Sequence, residues 1–499
     1  MNVLLGGWLL YAFCAVFELV LLSVRTSFHA RRMLGMMCLL LTSVSHTLIV
    51  AYEPLVFGIP FFVIGYYRML NIMRFSYGRM QEDYLYKASG RTSFVLGCVQ
   101  AVVGASALLL NNSNVLQGVA YVLFGCAAAL VFMSIRSLVR NIQRSRFAPL
   151  THHMSDSELP TVTVAIPARN ETNELADCIK SFVDSDYQKL EILVLDDCSQ
   201  DTTSDIIKRF AHAGVRFVQG SEPGDSWLAK NAAYQKLASE ANGEFLLFCG
   251  VDVRVTPNAI RHLVSYATEK RLDMVSMLPE RSDTASHISV AQIVRYIWEL
   301  ALPRSNTKRP PVLSTLWLIR TRALEKHGGI AAVKHKIVPE AHFAKQLAAS
   351  GMYEFLRSGA DCRVVSVKNP HEQLLTTLRV RYPQLHKRPE NVALVTGVEL
   401  LLLMHPLLLL YASGSSTLTL LYVAILGLML AVAAVLIAWS ISKKRHIAYV
   451  MQTLFAVPVD ILLTHISLCK YEFSRVEWKE RNVCLPVMHI VPSLPRLED

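Results

Sequence analysis

Hydrophobic positions fall into two regimes along the chain. At both ends, apolar runs approach the roughly 20 residues that a helix needs to cross a bilayer: residues 4–24, 33–51, 94–110, 115–133, 392–411 and 417–439. Residues 55–67, directly after Pro54, form a shorter run that reads as the returning arm of a tight hairpin, extended to about Ile72. The run 448–468 is interrupted by Gln452, Pro458, Asp460 and His465. Broken apolar helices with polar groups are tolerated where protein covers them, so a re-entrant or interface-lying segment is expected there. Between the two ends the pattern changes to short apolar strands and amphipathic stretches: a strand over 161–166, a helix near 175–183, a strand over 191–195. That alternation predicts an α/β domain with a mixed, mostly parallel sheet. The chain thus divides into an apolar region of about five spans (1–146), a soluble domain (150–390) and a C-terminal hairpin, interrupted segment and basic tail (391–499).

Composition agrees with this division: 52% of the 499 residues are hydrophobic and 18% charged, too apolar for an ordinary soluble enzyme. The net charge of +11 is carried largely by Lys and Arg beside the apolar runs. Arg25, Arg31 and Arg32, then Arg68, Arg74, Arg79 and Arg91, then Arg136, Arg140, Arg144 and Arg146 occupy every second loop of a five-span path. The positive-inside rule then places the soluble domain in the cytosol and accounts for the charge without nucleic acid. The ten cysteines form no CxxC pair and no metal spacing, which fits a reducing compartment.

Strand 161–166 ends in Pro167-Ala-Arg-Asn170-Glu171, and strand 191–195 in Asp196-Asp197-Cys-Ser199. Ligands of parallel sheets bind at the carboxyl ends of strands, where these polar residues stand. Helix capping is the alternative use of Asp196, Asp197 and Ser199. Further on come Ser226-Trp-Leu-Ala-Lys230, Gly250-Val-Asp252, Gly328-Gly329, Pro339-Glu340-Ala341, Leu378-Arg379-Val-Arg381-Tyr382 and Val476-Glu-Trp478-Lys-Glu-Arg481.

In this order the segments resemble the motifs of family-2 glycosyltransferases of the GT-A fold, and the last is similar to an element of lipid-modifying members such as ceramide, hopanoid and carotenoid glucosyltransferases. The resemblance implies a nucleotide-sugar donor, UDP-sugar foremost, bound by Pro167, Asn170, Glu171, Asp197, Ser199 and Lys230. It implies an Mn²⁺ or Mg²⁺ ion at Asp252, a general base at Glu340, and acceptor or diphosphate contacts from Arg379, Arg381, Tyr382 and Trp478. Three motifs depart from the family pattern: Gly250 replaces the first Asp of Asp-x-Asp, Ala341 follows Glu340 in place of Asp, and Leu378 and Tyr382 stand where QxxRW has Gln and Trp.

The expected activity is transfer of a sugar to a membrane lipid at the cytosolic face by inverting displacement, with a lipid hydroxyl favoured over a lipid phosphate. A processive polysaccharide synthase and a catalytically impaired nucleotide-sugar-binding protein are the alternatives; a transporter fits the ordered motifs poorly. Residues 288–302 carry an apolar stripe at helical spacing with Trp298 beside it, readable as core or as an interfacial helix.

Overall fold

The computed structural model describes residues 2–53, 55–77, 82–109, 113–148, 150, 154–172, 174–224, 227–281, 289–302, 308–414, 416–441, 446–474, 476–479 and 481–482. The helices α1 (Asn2–Ser23), α2 (Phe28–Tyr52), α3 (Leu55–Tyr77), α4 (Glu82–Leu109) and α5 (Ser113–Arg144) come first. The third does not stop near residue 72 but runs on to Tyr77, because its polar residues find partners inside the bundle. Arg68 pairs with Glu18 and donates to Gln100 (2.8 Å) and to the Tyr11 hydroxyl (3.0 Å). Asn71 donates to Ser93 (2.8 Å), and Arg74 lies 2.8 Å from Glu472. Polar side chains satisfied in this way are tolerated among apolar helices.

The central domain alternates short strands with helices. Its strands are β1 (Val162–Ala168), β2 (Leu190–Asp196), β3 (Val215–Gln219), β4 (Phe245–Cys249), β5 (Val253–Val255), β6 (Met274–Leu278), β7 (Glu280–Arg281), β8 (Leu316–Arg320), β9 (Tyr353–Arg357) and β10 (Val364–Ser366); β11 (Glu477–Trp478) and β12 (Arg481–Asn482) form a hairpin later in the chain. The interleaved helices are α6 (Leu175–Val183), α7 (Thr203–Arg209), α8 (Ala229–Glu240), α9 (Ala259–Glu269), α10 (Val290–Tyr296), α11 (Thr321–Lys326), α12 (Glu340–Ala349) and α13 (Pro370–Gln384).

Seven strands form one sheet in the order β3-β2-β1-β4-β8-β6-β9, in which only β8 runs antiparallel to its neighbours. The central strand β1 is apolar almost throughout because both its faces are covered, as in buried parallel sheets. A second sheet of β5, β10 and β7 lies beside its carboxyl edge. This is a GT-A-like α/β domain with a mixed, mostly parallel sheet, flanked by long apolar helices.

After the domain come α14 (Pro389–Ser413), α15 (Thr417–Ile441), α16 (His446–Leu454) and α17 (Ala456–Phe473). Among the described residues, five helices are long and apolar enough to cross a bilayer: α1, α2, α5, α14 and α15. The last two helices are bent by 59° relative to each other, the geometry of a broken span or of a re-entrant loop.

The stripe on α10 and on the π-helical turn Ile297–Ala301 is core: Ile293, Val294, Trp298 and Ala301 are all buried. These elements pack against α5, α13, α16 and α17, so one continuous apolar core joins the sheet domain to the spans. Helix α13 starts where Asn369 accepts a hydrogen bond from the Glu372 amide (2.9 Å) and Pro370 takes the first helical position.

Candidate functional site

A cleft opens at the carboxyl ends of β1 and β4 and is walled by α8, α10 and α13. Its lining includes Pro167, Glu171, Lys230, Gly250, Asp252 and Arg379. The loops leaving β1 and β2 are tied together beside it. Asn170, in the left-handed conformation (φ 50°), donates its amide to Ser199 Oγ (3.0 Å) and accepts from the Gln200 amide at Oδ1 (3.0 Å). Arg169 reaches across to the carbonyls of Asp197 and Cys198 (2.6 and 2.9 Å). No side chain caps α7; Asp196 instead ties down the loop before it, accepting from the Ser199 amide (3.0 Å) and from Ser204 Oγ. Asp197 is buried at the end of β2 and is not a lining residue of the cleft.

Glu171 is met by a residue that the motifs did not assign. Lys479, at the turn between β11 and β12, lies 3.1 Å from the Glu171 carboxylate and donates to the Asn170 carbonyl (3.1 Å), while its own carbonyl accepts from Arg169 Nε (2.9 Å). Burial raises the Glu171 carboxyl above its usual range, and Lys479 offsets this in part. The tail segment noted in the sequence therefore docks on the loop after β1. The side chain of Trp478, expected at the acceptor, lies outside the described residues.

The second sheet builds the opposite wall. Antiparallel pairing sets Ser366 of β10 against Val253 of β5, which brings Ser366 Oγ to 2.8 Å from Asp252 Oδ2. Parallel pairing sets Arg281 of β7 beside Ser366, and Arg281 donates to Ser366 Oγ (3.0 Å) and to the Lys368 carbonyl. Burial pushes the Asp252 carboxyl up, but Lys368, the Ser366 hydroxyl and Arg281 outweigh it and hold the group below its usual range.

Gly250 leaves this carboxylate room: a Cβ there would come within 2.6 Å of Asp252 Oδ1. Among the described residues no group of three or more His, Cys, Asp or Glu forms a metal cage. The setting fits a Mg²⁺-type ion that takes one carboxylate from Asp252 and its other ligands from a diphosphate and water.

Three expected contacts are elsewhere. Residues two apart on a helix point about 200° away from each other, so with Arg379 in the cleft, Arg381 faces the other side of α13. There it forms a two-pronged ion pair with Asp460 of α17 (Nε to Oδ1 2.5 Å), stacks 3.5 Å from the centroid of the Trp298 ring and is 1% exposed. Tyr382 is fully buried on the same face and donates its hydroxyl to Glu472 (2.5 Å).

Glu340, expected to act as base, is 0% exposed and is not a lining residue, and its carboxylate oxygens have no hydrogen-bond partner among the described residues. Burial raises its carboxyl above the usual range, against the pull of Lys230. It is placed to act on Lys230 through charge rather than on a molecule in the cleft.

Lys230, in the first turn of α8, has its ammonium 5.0 Å from the centroid of the Tyr234 ring, which packs against Phe248 (4.7 Å). Burial lowers its pKa to about 8; Glu340 opposes the shift, and Arg379, Lys368 and Arg295 add to it. An anion binds the protonated form, so its affinity is complete below about pH 8 and falls as pH rises through that value. Affinity for UDP is expected to drop by roughly tenfold per pH unit above it. In a calorimetric pH series, Lys230→Met should bind weakly and lose most of that slope; an unchanged slope would assign the titration to another group.

Residues 163–328 match the model of Glycosyl transferase family 2. The 4,4'-diaponeurosporenoate glycosyltransferase of Staphylococcus haemolyticus is 31% identical over 121 residues, 24% of this chain and 32% of that protein. Glycosyltransferase AglE of Haloferax volcanii is 28% identical over 123 residues, 24% of this chain and 39% of that protein. The chain thus spans about a third of the length of the curated relatives it matches. Among solved structures, mannosyltransferase PcManGT from Pyrobaculum calidifontis, in complex with GDP-Man and Mn²⁺, aligns with a TM-score of 0.45 at 17% identity, over 70% of this chain and 99% of that one. The matched segment carries β1 to β8 of the sheet domain.

Proposed function

We propose that the protein is a glycosyltransferase that moves a sugar from a nucleotide-diphosphate donor to a membrane lipid at the cytosolic face, in one inverting displacement. The observation that carries this reading is the position of the cleft. It lies at the carboxyl ends of β1 and β4, with the loop pair Asn170–Ser199 on one side and helices that lead into the apolar spans on the other.

The nucleoside is assigned to the loops after β1 and β2, near Asn170, Glu171 and Asp197. Its diphosphate is assigned to Lys230, Lys368 and Arg281. A divalent cation held by Asp252 would supply further positive charge to the diphosphate. As the acceptor oxygen attacks the anomeric carbon, negative charge gathers on the departing diphosphate, and fixed cations in an enclosed site stabilise it without rearranging. A UDP-sugar is the favoured donor. The basic residues at the α1–α2 turn (Arg25, Arg31, Arg32) and at the end of α5 (Arg136, Arg140, Arg144, Arg146) support the cytosolic placement.

The reading is tested with the full chain in nanodiscs, supplied with UDP-glucose, UDP-N-acetylglucosamine or GDP-mannose and a native lipid extract. Mass spectrometry should find one lipid heavier by one sugar, with nucleoside diphosphate released in equal amount. A long polymer would favour a processive synthase, and intact donors would contradict the transferase reading. A reporter fused after Arg146 should be cytosolic; an external one would overturn the topology.

A further inference from the structure

Helix α5 continues past its apolar stretch to Arg136, Arg140 and Arg144, with Arg146 just beyond its end, and α15 ends two residues after Trp439. Both helices are long and apolar enough to cross a bilayer, and they pack on each other. The edge strand β9 meets them there, its last residue Arg357 donating its amide to the Ser145 carbonyl (2.6 Å). Two guanidinium groups thereby share one indole. That of Arg146 lies 5.6 Å and that of Arg357 4.9 Å from the centroid of the Trp439 ring, which is still 45% exposed.

Contact with a ring face uses none of the five N–H donors of a guanidinium. Among the described residues neither Arg146 nor Arg357 donates a side-chain hydrogen bond or forms a salt bridge. Burial lowers Arg357 below its usual range; Arg146 adds to the shift, and Glu280, itself paired with Arg363 (2.8 Å), opposes it. The planar forks match the oxygens of a phosphate, and an anion between them relieves their repulsion. Beside the pair, Asn141, Arg144, Tyr353 and Phe355 line a groove between α5 and β9. Residues two apart on a strand share a face, so Arg357 borders that groove. None of these residues lines the cleft beside Asp252. A tryptophan at the end of an apolar span, next to basic residues, marks the depth of the lipid headgroups.

We propose that Arg146, Arg357 and Trp439 form a binding site for the phosphate of an anionic phospholipid in the cytosolic leaflet, separate from the transferase cleft. The inference rests on α5 and α15 crossing the bilayer and not on the transferase reading. The phosphate accepts hydrogen bonds from both guanidinium groups while the indole lies level with the headgroups. An anionic lipid fits better than a zwitterionic one because its net charge faces two arginines. Since β9 is tied to the end of α5, a lipid held there fastens the edge of the sheet domain to both spans at one point.

The test places the purified full chain in nanodiscs of phosphatidylcholine with and without phosphatidylglycerol, and reads retained lipids by native mass spectrometry. Phosphatidylglycerol should be retained roughly tenfold over phosphatidylcholine, the scale expected of basic residues at an anionic surface, and should raise the unfolding temperature. Arg146→Gln with Arg357→Gln should bring the two lipids within twofold and abolish that stabilisation. Arg146 is exposed, so Arg146→Gln alone carries the test if the double variant does not fold, and should lose more than half of the preference. Arg136→Gln, at an exposed residue of the same helix, should leave the preference intact. Equal retention of both lipids by the parent, an undiminished preference in the folded variants, or an equal loss from Arg136→Gln would overturn the proposal. A preference that inorganic phosphate abolishes would assign the pair to free phosphate and overturn the lipid assignment. UDP titration is read separately, so either reading can fail alone.

Discussion

Asparagine in place of Asp252 is expected to reduce sugar transfer by a hundredfold or more, the scale seen when one group that stabilises transition-state charge is removed. The carboxylate is half-buried among cations, with Lys368 and Arg281 favouring its charged form. Asparagine keeps the shape and the bond to Ser366 Oγ but removes the charge that a phosphate-borne cation requires. Thermal unfolding should therefore change little while nucleoside diphosphate release nearly stops. Gly250→Asp, which restores the family's usual first carboxylate, should also impair transfer, since any Cβ at 250 crowds Asp252 Oδ1 to 2.6 Å. Turnover within threefold of the parent in Asp252→Asn would remove Asp252 from the reaction.

The second large effect is on stability. Asp460→Ala leaves Arg381 charged and 1% exposed, with Glu399 at 3.7 Å as the remaining carboxylate, and it also strips the Trp298 indole of its acceptor (2.6 Å). Removing one partner of a buried ion pair costs about 3–5 kcal/mol. Because Asp460 joins α13 and the turn Ile297–Ala301 to α17, the loss should appear as a sharply lower unfolding temperature in detergent and loosened packing between the sheet domain and the apolar helices. Replacing both members, Arg381→Met with Asp460→Leu, should recover much of the stability, since a well-packed apolar pair avoids the desolvation cost. An Asp460→Ala protein as stable as the parent would mean that the pair contributes nothing.

The sheet domain was legible because its strands are short, apolar and punctuated by polar turns, and because Pro167 to Glu171 and Gly250 to Asp252 fall where strands end. The cations of the far wall were not. Ser366 and Lys368 reach Asp252 only through the pairing of β10 with β5 and β7, and pairing between strands distant in the chain leaves no local pattern. Arg295 had one signal, a charge within an otherwise apolar helical stripe. Arg379 and Arg381 are near neighbours in sequence, and the helical twist sends them to opposite faces; the partner that claims Arg381, Asp460, appears in the sequence only as a polar interruption of an apolar run. Likewise α3 runs on past its apolar stretch because Glu18, Gln100 and Glu472, remote in sequence, meet Arg68 and Arg74.

The loops after β1 and β2, together with the cleft beside them, are expected to bind a nucleoside diphosphate. The decisive measurement is calorimetric titration of UDP and of GDP into the purified full chain, with and without Mg²⁺. Saturable binding of at least one of them is expected. Asp197→Ala should weaken it by roughly tenfold or more even without metal, as expected when a buried hydrogen-bonding partner is lost, and Asp252→Asn should abolish the strengthening by Mg²⁺. Identical titrations for the parent and both variants, or no saturable binding of either nucleotide, would contradict it.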